Sequence, residues 1–295
     1  MKPSMKCVCH ASFYIITMLS TCTYAEVGST SAVENVVQNE ASESDRYFTS
    51  SDGVKIHYRV EGQGDPLVIF PGYGQSADTF DGVYERLKEE FTVYTIDYRW
   101  LGKSDSPAYG SHISRFAMDA KEMTAHAQLD RFYLFAHSMG NTVAWSYFSL
   151  FGQQQVIKYI LGDEAPCLIT DPAWTEEEKE KFTGSKTDKD LWTAWRSPEI
   201  TGERQESALI TRMQNKLLVE HLGNDWRDIL PTIQVPTLIL MGGRSHFSSP
   251  ALWEYMHNSI ENSQLAVIEE GGHGYYQSHP DEFASVLKQF FKKSQ

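Results

Sequence analysis

The chain has 295 residues, of which 41% are hydrophobic and 13% aromatic, enough apolar material for one large domain or two smaller ones. Acidic residues outnumber basic ones, 39 against 26. This surplus of negative charge disfavours a nucleic acid partner and favours a small-molecule substrate that is neutral or cationic. Composition does not specify the oligomeric state.

The first 25 residues have the pattern of a secretory signal peptide. Lys2 and Lys6 precede a short apolar stretch over 13–19, and the small residues that follow predict cleavage after Ala25. The apolar stretch is shorter than the roughly 20 residues of a membrane-spanning helix, so no stable span is expected. The sequence therefore predicts a secreted or periplasmic protein, with a buried N-terminal helix as the alternative. Cys22 ends a poor match to a bacterial lipoprotein box, which makes lipid anchoring there a minor alternative.

The mature chain is predicted to begin with a flexible acidic leader. Residues 26–45 are acidic, rich in serine and free of aromatic side chains, so they lack the apolar surface to fold alone. Three of the four cysteines precede this leader, and Cys167 alone follows it. No internal disulfide is therefore expected.

Beyond residue 45, short apolar runs alternate with segments of helical periodicity. The runs around 46–50 and 54–60 alternate like antiparallel strands, and Ser51-Asp52-Gly53 between them is a turn signal. Six further strands are predicted over 66–70, 91–97, 131–136, 158–163, 237–242 and 264–269. Strands that alternate with helices indicate an α/β protein with a mainly parallel central sheet flanked by helices.

One region interrupts this alternation. Residues 167–230 show only helical patterns and are predicted to form a helical cap inserted into a core made of 46–166 and 231–295. The cap carries several tryptophans, among them Trp174 and Trp192, which are candidates for the substrate pocket. The alternative is that they only pack the cap against the core.

A serine stands at the junction of a predicted strand and helix, in the stretch AHSMGN. Ser138 has small residues two positions before and after it, Ala136 and Gly140, as a sharp and strained turn requires. Such a turn projects the serine hydroxyl from the carboxyl edge of the sheet, ahead of a helix N-terminus that favours negative charge. A plain turn or helix cap is the structural alternative.

The stretch resembles the nucleophile elbow of the α/β-hydrolase superfamily, with alanine in place of the first glycine. The loop PGYGQS resembles the oxyanion loop of that superfamily, with Pro71 in place of histidine. This resemblance implies that the backbone N–H groups of Tyr73 and Met139 stabilise the oxyanion. The segment IDYRWLGKSDSP resembles the D-x-R-G-x-G-x-S-D segment of the family. Trp100 takes the place of its first glycine, either at the pocket mouth or as a packing residue.

The resemblance also implies a base and an acid for Ser138. His273 lies in a glycine-rich loop after the last predicted strand, as the family histidine does. The usual loop for the acid, GRSHFSSP, has no carboxylate and carries Ser245 at the expected place. Some family members take the acid from the end of the preceding strand, where Asp163 is the favoured candidate and Glu164 the alternative, since neighbouring side chains point in opposite directions. His137, beside the serine, is either a further pocket candidate or structural.

These residues predict a serine hydrolase that cleaves a carboxylic ester or lactone, with no cofactor and no metal. Two alternatives use the same fold. One is a different reaction at the same site, such as that of a cofactor-free lyase, a perhydrolase or a carbon–carbon hydrolase. The other is a non-catalytic ligand-binding homologue, because a fold does not determine a function.

Overall fold

The computed structural model describes residues 43–168, 205–245 and 249–292. Its strands are β1 (Asp45–Thr49), β2 (Lys55–Gly62), β3 (Asp65–Phe70), β4 (Phe91–Ile96), β5 (Phe132–His137), β6 (Val156–Gly162), β7 (Thr237–Gly242) and β8 (Ser263–Ile268). Its α-helices are α1 (Asp81–Leu87), α2 (Ile113–His126), α3 (Met139–Phe151), α4 (Gln205–Gly223), α5 (Pro250–Ser259), α6 (Tyr275–Ser278) and α7 (Pro280–Lys292). Short 3-10 helices span Ala77–Phe80 and Leu230–Thr232.

The strands form one eight-stranded sheet in the order β1-β2-β4-β3-β5-β6-β7-β8. Strand β2 pairs antiparallel with both β1 and β4, and every other neighbouring pair is parallel. The carboxyl ends of the parallel strands therefore meet at one edge, where loops can gather functional side chains. The mainly parallel α/β fold predicted from the sequence is confirmed.

Both faces of the sheet are buried, which explains why its central strands are almost continuously apolar. Val68 and Phe70 of β3 belong to the hydrophobic cluster on the side of α2 and α3. Leu67 and Ile69 belong to the opposite cluster, with α1 and α7. Side chains that alternate along a strand point to opposite faces, so each central strand contributes to both halves of the core.

Helix α4 forms most of the described part of the predicted cap, and both apolar side chains and polar groups join it to the core. The backbone N–H of Ile113, at the start of α2, donates to the Glu220 carboxylate at 3.2 Å. Ser111 Oγ donates to the carbonyl oxygen of Met213. Residues 169–204, which include Trp174 and Trp192, lie outside the described residues, so the extent of the cap stays a prediction.

Two local features differ from the sequence-based expectation. Strand β1 begins at Asp45, the last residue of the predicted leader, because its backbone pairs with Arg59 of β2. The short helix α6 directly after the His273 loop was not predicted, since four residues are too few for a helical period to be seen. Among the described residues, no helix combines the length and apolar character needed to cross a membrane.

Candidate active site

Ser138 occupies a strained turn between β5 and α3. Its backbone angles are φ 53° and ψ −132°, in a region that residues with a Cβ rarely adopt. The turn brings Gly140 against the end of β3, where an added Cβ would lie 2.1 Å from the carbonyl oxygen of Phe70. Glycine at position 140 is therefore a steric requirement of the turn, as the sequence pattern predicted.

Hydrogen bonds from neighbouring elements hold this strained turn in place. The backbone N–H of Ser138 donates to the carbonyl oxygen of Gly162, at 2.9 Å. The side-chain amide of Asn141 donates to the carbonyl oxygens of Ser138 at 3.0 Å and of Gly162 at 2.9 Å. Tyr159 Oη in turn donates to Asn141 Oδ1 at 2.6 Å. The end of β6 and the first turn of α3 thus fix the serine backbone together.

Asp163 follows β6, the strand beside the serine-bearing strand, and its side chain is fully buried. Its Oδ2 accepts hydrogen bonds from His273 Nδ1 at 2.6 Å and from Ser245 Oγ at 2.5 Å. Its Oδ1 accepts one from the backbone N–H of Gly242 at 3.0 Å. A buried carboxylate is tolerated when donors surround it in this way, and the bond to His273 fixes the ring with its proton on Nδ1.

His273 lies in the loop between β8 and α6, with its side chain 25% exposed. Its ring centroid is 4.7 Å from that of His137, the residue directly before Ser138. Ser138 is also partly exposed, whereas Asp163 is buried. The three predicted residues therefore gather at the carboxyl edge of the sheet, and solvent reaches the serine and the histidine.

Glu164, the alternative acid, is directed elsewhere. Its Oε1 accepts a hydrogen bond from the backbone N–H of Ala165 at 2.9 Å, and its Oε2 lies 3.6 Å from His221 Nε2. Burial raises the pKa of Glu164 to about 8, so the side chain is mostly a neutral acid at pH 7. The carboxylate that contacts His273 is that of Asp163. Only one of the two neighbouring acids reaches the histidine, as the alternation of side chains along a strand predicted.

The predicted oxyanion donors lie on either side of the serine. Gly72, next to Tyr73, is so close to the elbow that an added Cβ would stand 2.9 Å from the Cβ of Ser138. Met139 begins helix α3, where N–H groups have no acceptor within the helix. Within the described ranges, no protein acceptor is found for the N–H of Tyr73 or of Met139. This absence of a protein acceptor is compatible with the predicted oxyanion role of the two N–H groups.

The pocket candidates have different surroundings from those expected. Trp100 is 6% exposed, donates from Nε1 to the carbonyl oxygen of Pro107 at 2.6 Å and packs near Phe116, which supports its packing alternative. His137 is fully buried, with protein partners near both ring nitrogens. These contacts favour the structural alternative for His137. Trp174 and Trp192 lie outside the described residues.

The structure also explains the acidic residue of the segment IDYRWLGKSDSP. Asp97 is buried, and its Oδ1 accepts from the backbone N–H of Ala77 at 2.7 Å. Its Oδ2 accepts from the backbone N–H of Lys103 at 2.9 Å. An added Cβ at Gly102 would stand 1.9 Å from that Oδ2. Asp97 therefore ties the loop after β3 to the loop after β4, a structural role that the motif alone does not reveal.

Comparison with known proteins agrees with this fold. The sequence model of the Alpha/beta hydrolase family matches residues 67–286, most of the chain, and the protein belongs to this family. The structure of an esterase from Exiguobacterium antarcticum superposes with a TM-score of 0.70 at 25% identity, covering 84% of this chain and 99% of the esterase. A bromoperoxidase from Bacillus anthracis gives a TM-score of 0.71 at 22% identity, over 85% of this chain and all of that one. A pimeloyl-[acyl-carrier protein] methyl ester esterase of Aliivibrio fischeri is 24% identical, covering 81% of this chain and 98% of its own length.

The packing at the elbow generates a first prediction. Gly140→Ala should lower the free energy of unfolding by about 1–3 kcal/mol or more, because its methyl group would collide with the Phe70 carbonyl. Gly223→Ala is the matched control, since nothing lies within 4 Å of a Cβ added there. Urea denaturation of both variants measures the difference. Equal stability of the two variants would contradict the steric argument.

The burial of Glu164 generates a second prediction. The unfolded carboxyl titrates near about 4.3, whereas the folded one has a pKa of about 8. Between these values the unfolded state releases a proton that the folded state keeps, so rising pH lowers the free energy of unfolding. This decline in the free energy of unfolding is of the order of a few kcal/mol between about pH 5 and about pH 8, and Glu164→Gln should remove it. Urea unfolding across that range tests it, and parallel curves for native and variant protein would refute it.

Proposed function

We propose that this protein hydrolyses a carboxylic ester or lactone through an acyl-enzyme on Ser138. The observation that carries the proposal is the 2.6 Å bond between buried Asp163 and His273, at the same sheet edge as the strained Ser138 turn. A serine becomes a nucleophile when an adjacent histidine accepts its proton and a third group orients that histidine. The three residues supply these three roles.

In the proposed reaction, His273 acts as base through Nε2, because Nδ1 carries the proton bonded to Asp163. Removal of the Ser138 proton lets Oγ form a bond to the acyl carbon, and the carbonyl oxygen gains negative charge. The N–H groups of Tyr73 and Met139 stabilise that charge. The histidine then protonates the departing alkoxide, and water releases the acyl group by the reverse proton transfers.

The relatives favour ester chemistry. Two of the similar proteins are esterases, one known from its structure and one from its sequence over most of both chains. The likeness to a bromoperoxidase concerns the fold. Lyase, perhydrolase or carbon–carbon cleavage at the same site would give other products, so product analysis with and without peroxide distinguishes these reactions from simple hydrolysis.

Substitutions at the three site residues test the proposal. Ser138→Ala should abolish turnover of short p-nitrophenyl esters and lactones and prevent labelling by a phosphonate probe. Asp163→Asn should lower kcat by roughly 10³- to 10⁴-fold, because the amide favours the wrong histidine tautomer. Glu164→Gln is the matched control, an adjacent acid that makes no contact with His273, and should lose far less activity.

Two results would contradict this assignment. Equal, mild losses in Asp163→Asn and Glu164→Gln would show that neither residue is the acid of a triad. A native protein that neither turns over the ester and lactone panel nor reacts with the phosphonate would favour a binding protein. In that case, Ser138→Ala would leave ligand binding intact.

We also propose that the protein is exported, with cleavage after Ala25. The proposal rests on the charged and apolar pattern of residues 1–25, which lie outside the described residues. Expression of the full chain in a bacterial host should give a product in the periplasm or medium whose N-terminal sequence begins at Glu26. Retention of Met1 in a cytoplasmic product would refute export, and a lipid-modified Cys22 would show anchoring instead.

A further inference from the structure

A second set of polar groups lies beside the proposed catalytic residues. His137, the last residue of β5, is fully buried, and its ring is 4.7 Å from both the His273 ring and the Tyr276 ring. Gln75, in the loop after β3, contacts the His137 ring through its side-chain amide. Neither side chain has a part in the proposed reaction.

The donors and acceptors around His137 determine its protonation. Its Nε2 lies 2.7 Å from the carbonyl oxygen of His273, which can only accept, so Nε2 carries a proton. Burial lowers the pKa of His137 to about 3, so the ring is neutral and Nδ1 is an acceptor. This tautomer needs a donor near Nδ1.

Gln75 supplies that donor, and its own orientation is fixed independently. Its Oε1 accepts the backbone N–H of Gly72 at 2.6 Å, which identifies the other atom of the amide as the nitrogen. From there, Nε2 donates to Tyr276 Oη at 2.8 Å and reaches His137 Nδ1 at 3.3 Å. Gln75 Oε1 also lies 3.4 Å from His137 Nδ1, so the amide faces this nitrogen with both ends, and Nε2 is the end that can donate to it. Through that contact, the hydrogen bonds run from the Gly72 N–H through Gln75 and His137 to the His273 carbonyl.

The two ends of this chain are the two loops that the reaction needs. Gly72 precedes Tyr73, the proposed oxyanion donor, and a Cβ added to Gly72 would stand 2.9 Å from the Cβ of Ser138. The other end is the backbone of His273, the proposed base, whose ring is held separately by Asp163. Since His137 adjoins Ser138 in sequence, the network connects nucleophile, base and oxyanion loop.

We propose that Gln75 and His137 are positioning residues that hold the Tyr73 loop and the His273 loop in one fixed relation to Ser138. The proposal rests on the proposed hydrolase function, because only the reaction gives that relation a consequence. A misplacement of about 1 Å in a catalytic group can cost on the order of 100-fold in rate. Buried networks of this kind can hold groups to such tolerance when every member is paired.

The test uses Gln75→Met and His137→Phe in the full chain. Methionine keeps the length of Gln75 without its donor and acceptor, and phenylalanine keeps the ring of His137 without its nitrogens. Each should lower kcat for p-nitrophenyl acetate by about 10- to 100-fold while KM changes little, because loop alignment matters most in the transition state. Gln75 is only half-buried, so Gln75→Met keeps the test open if His137→Phe does not fold.

Tyr84→Phe is the matched control for lost stability. Tyr84 is buried, and its hydroxyl contacts Thr95 Oγ1 at 2.8 Å and the carbonyl oxygen of Arg59 at 3.3 Å, so the variant loses buried hydrogen bonding outside the network. Its thermal unfolding temperature should fall about as much as that of Gln75→Met, with kcat unchanged. If kcat of folded Gln75→Met stays within about twofold of native, the positioning role is wrong.

A measurement without substrate separates this proposal from the hydrolase function. In ¹⁵N-labelled native protein, the Nε2–H of His137 should give an imidazole signal that exchanges slowly with water, and this signal should exchange faster in Gln75→Met. The signal is assigned by its absence in His137→Phe. Native protein that shows this behaviour but hydrolyses no ester would refute the function and leave the network standing. An active native protein without the slow signal would refute the network.

Discussion

The hydrogen bond between His273 and Asp163 is the interaction around which the site is arranged. Asp163 is fully buried, and a carboxylate in that position is stable only if donors satisfy it. It receives them from His273, from Ser245 and from the backbone of Gly242, which come from the loops after β8 and β7 and from the end of β7. One desolvated side chain thereby brings together the ends of three neighbouring strands.

Close backbone packing at the same edge complements this electrostatic arrangement. Ser138 and Asp163 follow adjacent strands, and both have positive φ values, 53° and 47°. Such conformations cost on the order of 1–3 kcal/mol each and persist only where the surroundings enforce them. Here the bond from the Ser138 N–H to Gly162 and the bond from the Asp163 N–H to Leu240 attach each strained residue to the next strand. The sheet thus supports the strain that projects the serine.

The position of the acid shows how much of the site the sequence could predict. The loop after β7 lacks a carboxylate, which leaves the two acidic residues at the end of β6 as candidates. The structure places Asp163 rather than Glu164 against His273. Ser245 lies in the loop after β7, and its Oγ donates a hydrogen bond to Asp163. Ser138 could be predicted because a strained turn restricts its neighbours to small residues, whereas His273 followed from the resemblance of its loop to that of the family. The sequence left two roles open for His137, because the partners of its ring are 62 and 136 positions away along the chain.

The amino-acid sequence alone determined the strand and helix pattern, the α/β class and the strand ends where polar residues gather. These are local properties, because side-chain periodicity, small residues and turn signals act over a few neighbouring positions. Only the tertiary structure decided which carboxylate meets His273, that His137 faces inward, and that Gln75 joins two loops. Those outcomes depend on contacts between residues up to 201 positions apart, such as Gln75 and Tyr276. They also depend on how the fold supplies each buried polar group with a hydrogen-bond partner.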